Sequence, residues 1–265
     1  MKKIGFIGCG NMGRAIIRGI IQGGVFEPDE IIVSDSAKEA VQSLKQCFKV
    51  TEAPDNQTLA AQAEIILLAV KPQIYQTVIE QIRETVTEDQ MIITIAAGWT
   101  IKRLEHAFDR PVKIIRCMPN TPALIGAGVT SVCANDLVTR NDFTKILTIL
   151  ESFGLAKVIP ENLFDAASAL SGCSPACIFM LIEAMADAAV YSGIPRQEAY
   201  DMAAQTLVGS ARMVLETNKH PADLKDMVCT PGGSTIEAVR VLEEKGFRSA
   251  MFQAMLACAE KSGNL

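Results

Sequence analysis

The chain has 265 residues, of which 49% are hydrophobic, and a formal net charge of −5 at pH 7. These values predict a globular protein of one large or two modest domains, and the acidic balance without a Lys/Arg cluster argues against nucleic-acid or membrane partners. The scattered cysteines and two distant histidines predict neither a metal site nor a disulfide scaffold. Because the apolar start is short and interrupted by glycines, we expect a cytoplasmic protein.

A glycine-rich turn follows the first predicted strand. The apolar run Ile4–Ile7 leads into GCGNMG, residues 8–13, and apolar residues then recur at helical spacing. In such a turn, glycines allow a tight bend, close approach of a pyrophosphate and packing of helix on strand. The next predicted strand ends at Asp35, roughly twenty residues on, where an acid that binds a ribose is expected. The pattern predicts a dinucleotide site rather than an ordinary turn.

Strands and helices continue to alternate over the first two thirds of the chain. Apolar segments at 64–72, 90–98 and 112–122 read as buried strands, and a last short strand is predicted at 155–160. Near-continuous apolar strands are typical of a parallel sheet covered on both faces. Their carboxyl ends carry the turn sequences AVKP, AAG and MPNTP, at the sheet edge where ligands bind. We therefore predict an α/β domain over residues 1–160.

The last third, residues 161–265, has helical patterns without strands. Between Ala176 and Val190 only Glu183 and Asp187 are charged, so this helix is apolar nearly all round and must be buried on most sides. A helical domain with such surfaces packs more readily against a second copy than against water. The sequence predicts a homodimer or a higher oligomer of dimers.

The chemistry is constrained by a missing proton donor. No Lys or His lies between Asn162 and Asn218, whereas an enzyme that reduces a carbonyl must protonate the resulting alkoxide. A protonated imine avoids this need, because hydride addition gives a neutral amine directly. Two alternatives stay open: a β-hydroxyacid or ketopantoate-type dehydrogenase, which needs a lysine from the end of the helical domain, and a non-catalytic NADPH-binding sensor.

A second helix start rich in glycine and hydroxyl groups lies at CTPGGSTIEAV, residues 229–239. The backbone N–H groups of such a helix start can hold an anion. The competing interpretation is an ordinary cap, with Ser234 or Thr235 as the N-cap residue.

Eight motifs occur in an order that resembles the pyrroline-5-carboxylate reductases: GFIGCGNMG, AVKP, AAG, IRCMPNTP, LSGCSPA, HPADLKD, PGGSTIEAV and GFRSA. They span nearly the whole chain. The resemblance implies an N-terminal Rossmann domain, a C-terminal all-helical dimerisation domain and a site at their junction. It also implies reduction of 1-pyrroline-5-carboxylate to L-proline, by hydride transfer from NAD(P)H to the ring imine carbon.

The glycine turn, the strand ends and the resemblance together give a set of candidate cofactor residues, and the resemblance implies a set of substrate residues. The cofactor set is Gly8, Gly10, Asn11, Met12, Gly13, Ser34, Asp35, Asn56, Ala69, Lys71, Pro72, Ala97 and Gly98. The substrate set is Met118, Asn120, Ser171, Gly172, Gly232, Gly233, Ser234 and Thr235. Within it, the Thr235 hydroxyl is the predicted catalytic group, bonded to the substrate carboxylate.

Two features depart from the family pattern. The usual SGSGPAY reads SGCSPAC here, with Cys173, Ser174 and Cys177 at the changed positions, which bears on the shape of the pocket. Asp35 favours the ribose hydroxyls of NADH and repels the 2′-phosphate of NADPH, whereas Ser34, Ser36 and Lys38 suit a phosphate. We expect NADPH as the cofactor, with NADH as the alternative.

Overall fold

The structure is a computed structural model that describes residues 1–263. Its main element is an eight-stranded sheet in the order β3-β2-β1-β4-β5-β6-β7-β8. The strands are β1 (Lys2–Ile7), β2 (Ile31–Ser34), β3 (Thr51–Glu52), β4 (Ala63–Leu68), β5 (Met91–Thr94), β6 (Lys113–Met118), β7 (Gly128–Ala134) and β8 (Gly154–Val158). All described neighbours pair in parallel except β6 and β7, which are antiparallel.

Helices cover both faces of this sheet. They are α1 (Asn11–Gln22), α2 (Lys38–Phe48), α3 (Asn56–Gln62), α4 (Tyr75–Ile82), α5 (Ile101–Phe108) and α6 (Arg140–Glu151). Short 3₁₀ turns occur at Pro28–Glu30, Pro72–Ile74, Thr121–Ile125 and Glu161–Leu163. One apolar cluster joins the strands to α1, α2 and α6, and a second joins them to α3, α4 and α5. The predicted doubly covered α/β arrangement of the Rossmann type is confirmed.

Strand β7 differs from the all-parallel expectation. The segment was not predicted as a strand because it begins in a glycine-rich loop and carries the polar Thr130 and Ser131. Its direction follows from the short connection after β6, since a parallel return needs a crossover of a dozen or more residues. Helix α6 supplies such a crossover to β8, which therefore runs parallel to β7. The two-residue strand β3 was also missed, because it is too short to show a pattern.

The chain after β8 is helical, as predicted. It contains α7 (Phe164–Ala167), a π-helical segment Ser168–Cys173, α8 (Ser174–Tyr191), α9 (Arg196–Thr217), α10 (Pro221–Val228), α11 (Ser234–Glu244) and α12 (Phe247–Gly263). By its contacts, the chain divides into one unit of Met1–Cys173 with the end of α12 from Cys258, and a second unit of Ser174–Ala257. The domain boundary at residue 160 stays a prediction.

The second unit leaves many large apolar side chains exposed. Helices α8 and α9 pack on each other, yet Phe179 is 59% exposed and Met180 is 68% exposed. Among the described residues, the helical stretch Glu161–Tyr191 is long and apolar enough to cross a membrane, by length and composition alone. Of the 18 residues in its most apolar part, 11% are buried. The same length and composition also suit a helix that another protein surface covers.

Candidate active site

The three glycines of the first loop have different roles. Gly8 has φ +107°, and a Cβ there would lie 2.6 Å from the Ala69 carbonyl carbon. A Cβ on Gly13 would lie 2.7 Å from the Gly8 oxygen. These two glycines allow strand and helix to approach each other. Around Gly10, by contrast, an added Cβ meets no described atom within 4 Å, so this glycine borders open space.

Helix α1 begins directly after this loop and offers its backbone N–H groups. Gly10 is its N-cap residue, and within residues 1–263 no side chain caps the turn or adds an acidic group to it. The first N–H groups of a helix lack partners within the helix, and its dipole is positive at this end. The open space beside Gly10 and this uncapped turn fit a pyrophosphate.

Asp35 ties the glycine loop to the end of β2. Its Oδ2 accepts a hydrogen bond from the Cys9 N–H at 2.6 Å, and its Oδ1 accepts one from the Ala37 N–H at 2.8 Å. The carboxylate therefore fixes the loop and the entry to α2, a role that the sequence pattern did not indicate. Burial, and after it the charge of Asp35, raises the pKa of the Cys9 thiol to about 12, so this thiol stays neutral and unreactive.

Two adjoining hollows, of about 500 Å³ and 450 Å³, follow the carboxyl ends of the first strands. They share a lining of Ser34, Asp35, Ser36, Asn56 and Gln81, and so form one cleft. The cleft brings together seven predicted cofactor residues: Gly8, Gly10, Ser34, Asp35, Asn56, Ala69 and Lys71. The other six, Asn11, Met12, Gly13, Pro72, Ala97 and Gly98, are outside its lining.

A row of hydrogen bonds crosses the shared part of this cleft. The Ser34 hydroxyl donates to Asn56 Oδ1 at 2.8 Å, and Asn56 Nδ2 donates to Gln81 Oε1 at 2.7 Å. Ser34 and Asn56, both predicted cofactor residues, are thus in contact. Gln81 was missed, because it lies on α4 in no motif and reaches the cleft only through the fold. Lys38 also lines the first hollow and brings positive charge to it.

The loops after β4 and β5 are tied together by Trp99. Its Nε1 donates to the Pro72 carbonyl at 3.0 Å, and its ring lies 4.0 Å from the guanidinium of Arg103. Arg103 in turn donates to the carbonyl of Gly98 at 3.0 Å, where φ is +72°. The predicted residues Pro72 and Gly98 therefore belong to one connected structure, which Trp99 and Arg103 organise.

In the first unit, the predicted substrate residues lie near the end of β6. Met118 closes the strand and is half-buried. Asn120 is 8% exposed, and its Nδ2 donates to the Ser171 carbonyl at 2.8 Å. The structure therefore brings Asn120 and Ser171 together, although fifty-one residues separate them in the chain.

The residues from Gly232 to Thr235 lie in the second unit, at the start of α11. Gly233 is the N-cap residue, and no side chain caps this helix in the part of the chain that the structure describes. The capping interpretation of Ser234 or Thr235 is wrong, because both already lie inside the helix. Gly232 turns the chain with φ +68°, and a Cβ on Gly233 would lie 2.3 Å from Thr230 Oγ1. This turn requires glycine and leaves the N–H groups of the helix start open to an anion.

Two known families match separate parts of the chain. The family described as NADP oxidoreductase coenzyme F420-dependent matches residues 3–98, and the family described as pyrroline-5-carboxylate reductase dimerisation matches residues 161–265. The chain is 52% identical to the pyrroline-5-carboxylate reductase of Escherichia coli over 264 residues, which cover 100% of this chain and 98% of that protein.

Solved structures with the same description superpose over nearly the full length. The pyrroline-5-carboxylate reductase of Coxiella burnetii has a TM-score of 0.93 at 33% identity, covering 99% of this chain and 98% of that one. The pyrroline carboxylate reductase of Plasmodium falciparum, solved with NADP bound, has a TM-score of 0.88 at 32% identity, covering 98% and 97%. The sequence, the sheet with its glycine loop and the helical C-terminal segment agree: this chain belongs to the pyrroline-5-carboxylate reductase family.

Proposed function

We propose that this protein reduces 1-pyrroline-5-carboxylate to L-proline with NADPH. The observation that carries the proposal is the cleft along β1, β2 and β4, which brings seven predicted cofactor residues together in a chain 52% identical to a named reductase. NADPH, when bound there, would supply the hydride that adds to the ring imine carbon. Because the substrate arrives as a protonated imine and leaves as an amine, the chain needs no acid at the reacting atoms.

The chain's own residues would bind and orient the two reactants. The N–H groups at the start of α1 would hold the pyrophosphate beside Gly10, and the loop carrying Ala97 and Gly98 would position the nicotinamide end. At the start of α11, Gly232–Thr235 hold the substrate carboxylate through backbone N–H groups and the Thr235 hydroxyl. This assignment is supported by the starts of α1 and α11, neither of which is capped by a side chain among the described residues.

NADPH is favoured over NADH by the residues around the first hollow. Ser36 and Lys38 line it and suit a 2′-phosphate. Each carboxylate oxygen of Asp35 accepts a hydrogen bond from a backbone N–H group. That bonding weakens the repulsion which a free carboxylate would exert on the phosphate.

We further propose a homodimer, or an oligomer of dimers, with residues 161–265 as its dimerisation domain. The match to a dimerisation family over those residues supports it, and so do the exposed apolar side chains of the second unit. These include Ile178, Phe179, Met180, Met202, Val208, Leu215 and Phe252. Free thiols are present at Cys9, Cys47, Cys117, Cys133, Cys173, Cys177 and Cys229, which is typical of a reducing compartment and supports a cytoplasmic location.

The test is a substrate and cofactor panel on the purified protein. We expect oxidation of NADPH with 1-pyrroline-5-carboxylate, slower oxidation of NADH, and little reaction with 2-keto or 3-keto acids. Faster reduction of a keto acid would replace the proposal with a hydroxyacid dehydrogenase. Binding of NADPH without turnover of any substrate would favour the sensor.

A further inference from the structure

Asn120 makes two hydrogen bonds to backbone groups that belong to different parts of the fold. Its Oδ1 accepts from the N–H of Val129 at the start of β7, at 2.8 Å, and its Nδ2 donates to the Ser171 carbonyl, also at 2.8 Å. With 8% of the residue exposed, both groups already have partners inside the protein. One end of the side chain is anchored to the sheet, and the other holds a helical segment.

That helical segment, Ser168–Cys173, is π-helical. A π-helical turn departs from the regular i→i+4 ladder, and such turns occur often at functional sites. The Ser171 hydroxyl donates back to the Ala167 carbonyl at 2.8 Å, while the Ser171 carbonyl receives the amide of Asn120. The segment's geometry therefore depends on a donor from outside the helix. Around Gly172 an added Cβ would have one neighbour, Ser168 Oγ at 3.4 Å, among the described atoms.

We infer that Asn120 is a positioning residue, whose amide holds the Ser171 carbonyl and so fixes the Ser171–Gly172 segment toward the substrate. This role rests on the proposed function, and it replaces direct contact of Asn120 with the substrate. Displacement of a binding segment by a fraction of an ångström raises the cost of reaching the reactive geometry.

The variant Asn120→Asp removes one of the two hydrogen bonds and keeps the other. One carboxylate oxygen still accepts from Val129 N–H, but the other faces the Ser171 carbonyl oxygen and removes the donor. We expect the KM for 1-pyrroline-5-carboxylate to rise roughly tenfold or more. The Kd for NADPH should stay within about twofold, because the glycine loop is untouched.

Asn135 provides a matched control. It follows β7 and accepts from the Ile114 N–H at 3.1 Å, and its Nδ2 donates to the Val112 carbonyl and to Glu105 Oε1, both at 3.0 Å. Asn135→Asp therefore places the same chemical change in the same pair of strands, away from the π-helical segment. It should lower the melting temperature without raising KM. If Asn120→Asp does not fold, Asn120→Ser breaks both bonds without adding a charge, and serves the same comparison.

Hydrogen–deuterium exchange distinguishes positioning from contact. In Asn120→Asp the amides of residues 168–173 should exchange faster than in the wild type, and in Asn135→Asp they should not. A raised KM with unchanged exchange would mean that Asn120 contacts the substrate, which overturns the inference. An unchanged KM together with unchanged exchange rates would overturn it as well. A wild type inactive on 1-pyrroline-5-carboxylate would instead remove the proposed function, while the exchange comparison would still test the link.

Discussion

The guanidinium of Arg116 is paired with the carboxylate of Glu161, the first residue of the segment that matches the dimerisation family. Arg116 Nη1 donates to Glu161 Oε1 at 2.8 Å, and the same oxygen accepts from the N–H of Ile101 at 2.8 Å. The guanidinium also lies 4.6 Å from the ring of Phe164. One carboxylate thus joins strand β6, the start of α5 and the start of the helical segment.

Removing Glu161 should destabilise the protein. The Arg116 side chain is 6% exposed, and its Nε has no partner among the described residues, so Glu161→Ala leaves a buried charge unpaired. We expect the free energy of unfolding to fall by about 2–3 kcal/mol. This is less than the usual cost of removing one partner of a buried salt bridge, because Glu161 is partly exposed. Urea unfolding at a fixed protein concentration measures it. The double variant Arg116→Met/Glu161→Gln should recover most of the loss, and equal losses in the single and double variants would contradict the pairing.

Asp35→Asn should change cofactor preference and loop stability together. The amide is uncharged, so the ratio of kcat/KM for NADPH over NADH should rise. The kcat/KM values for both cofactors should fall, because an amide has only one oxygen and cannot accept hydrogen bonds from both the Cys9 and the Ala37 N–H groups as the two carboxylate oxygens do. Steady-state kinetics with each cofactor measures these effects. Asp136→Asn removes the same charge from an exposed loop and should change neither, whereas an unchanged ratio in Asp35→Asn would show that Asp35 does not face the ribose.

Met180→Glu should break the proposed dimer. Met180 is 68% exposed in the single chain, so the charge does not disturb the folded protomer but is costly once a partner covers it. We expect light scattering at micromolar concentration to show monomeric or insoluble protein with low activity. Asn141→Glu, an exposed change on α6, should leave the assembly intact. A wild type that is itself an active monomer would refute the dimer.

Thr235→Val tests the substrate carboxylate site. The change keeps the shape of the side chain but removes one hydrogen-bond donor to an anion. The kcat/KM should fall by an amount that corresponds to roughly 1.5–3 kcal/mol of binding free energy. KM should rise more than kcat falls, because the carboxylate is held alike in ground and transition states. Since Gly233 is the N-cap residue, the melting temperature should change little. Thr144→Val on α6 controls for the substitution itself, and a normal KM with a lowered melting temperature would exclude Thr235 from the site.

The sequence predicted those parts of the molecule that depend on local pattern. The strand, glycine loop and helix around Gly8–Gly13 follow from spacing, and so do the buried strands and the helical last third. The bonds of Asp35 to Cys9, of Asn120 to Ser171 and of Glu161 to Arg116 were not predictable, because each joins residues far apart in the chain. Strand β7 was missed for a related reason: its pairing with β6 depends on the length of a connection rather than on its own composition.

The exposed apolar faces of the second unit affect how the chain is synthesised. Most of the sheet-forming unit leaves the ribosome before α8, and such units fold as they emerge. The newly made protein then has a folded sheet-forming unit and helices whose Met and Phe side chains contact water. At low expression, the encounters between two chains that the proposed dimer requires are rare. Quality control by chaperones and proteases acts during this interval, so the yield of intact protein should increase more steeply than its rate of translation.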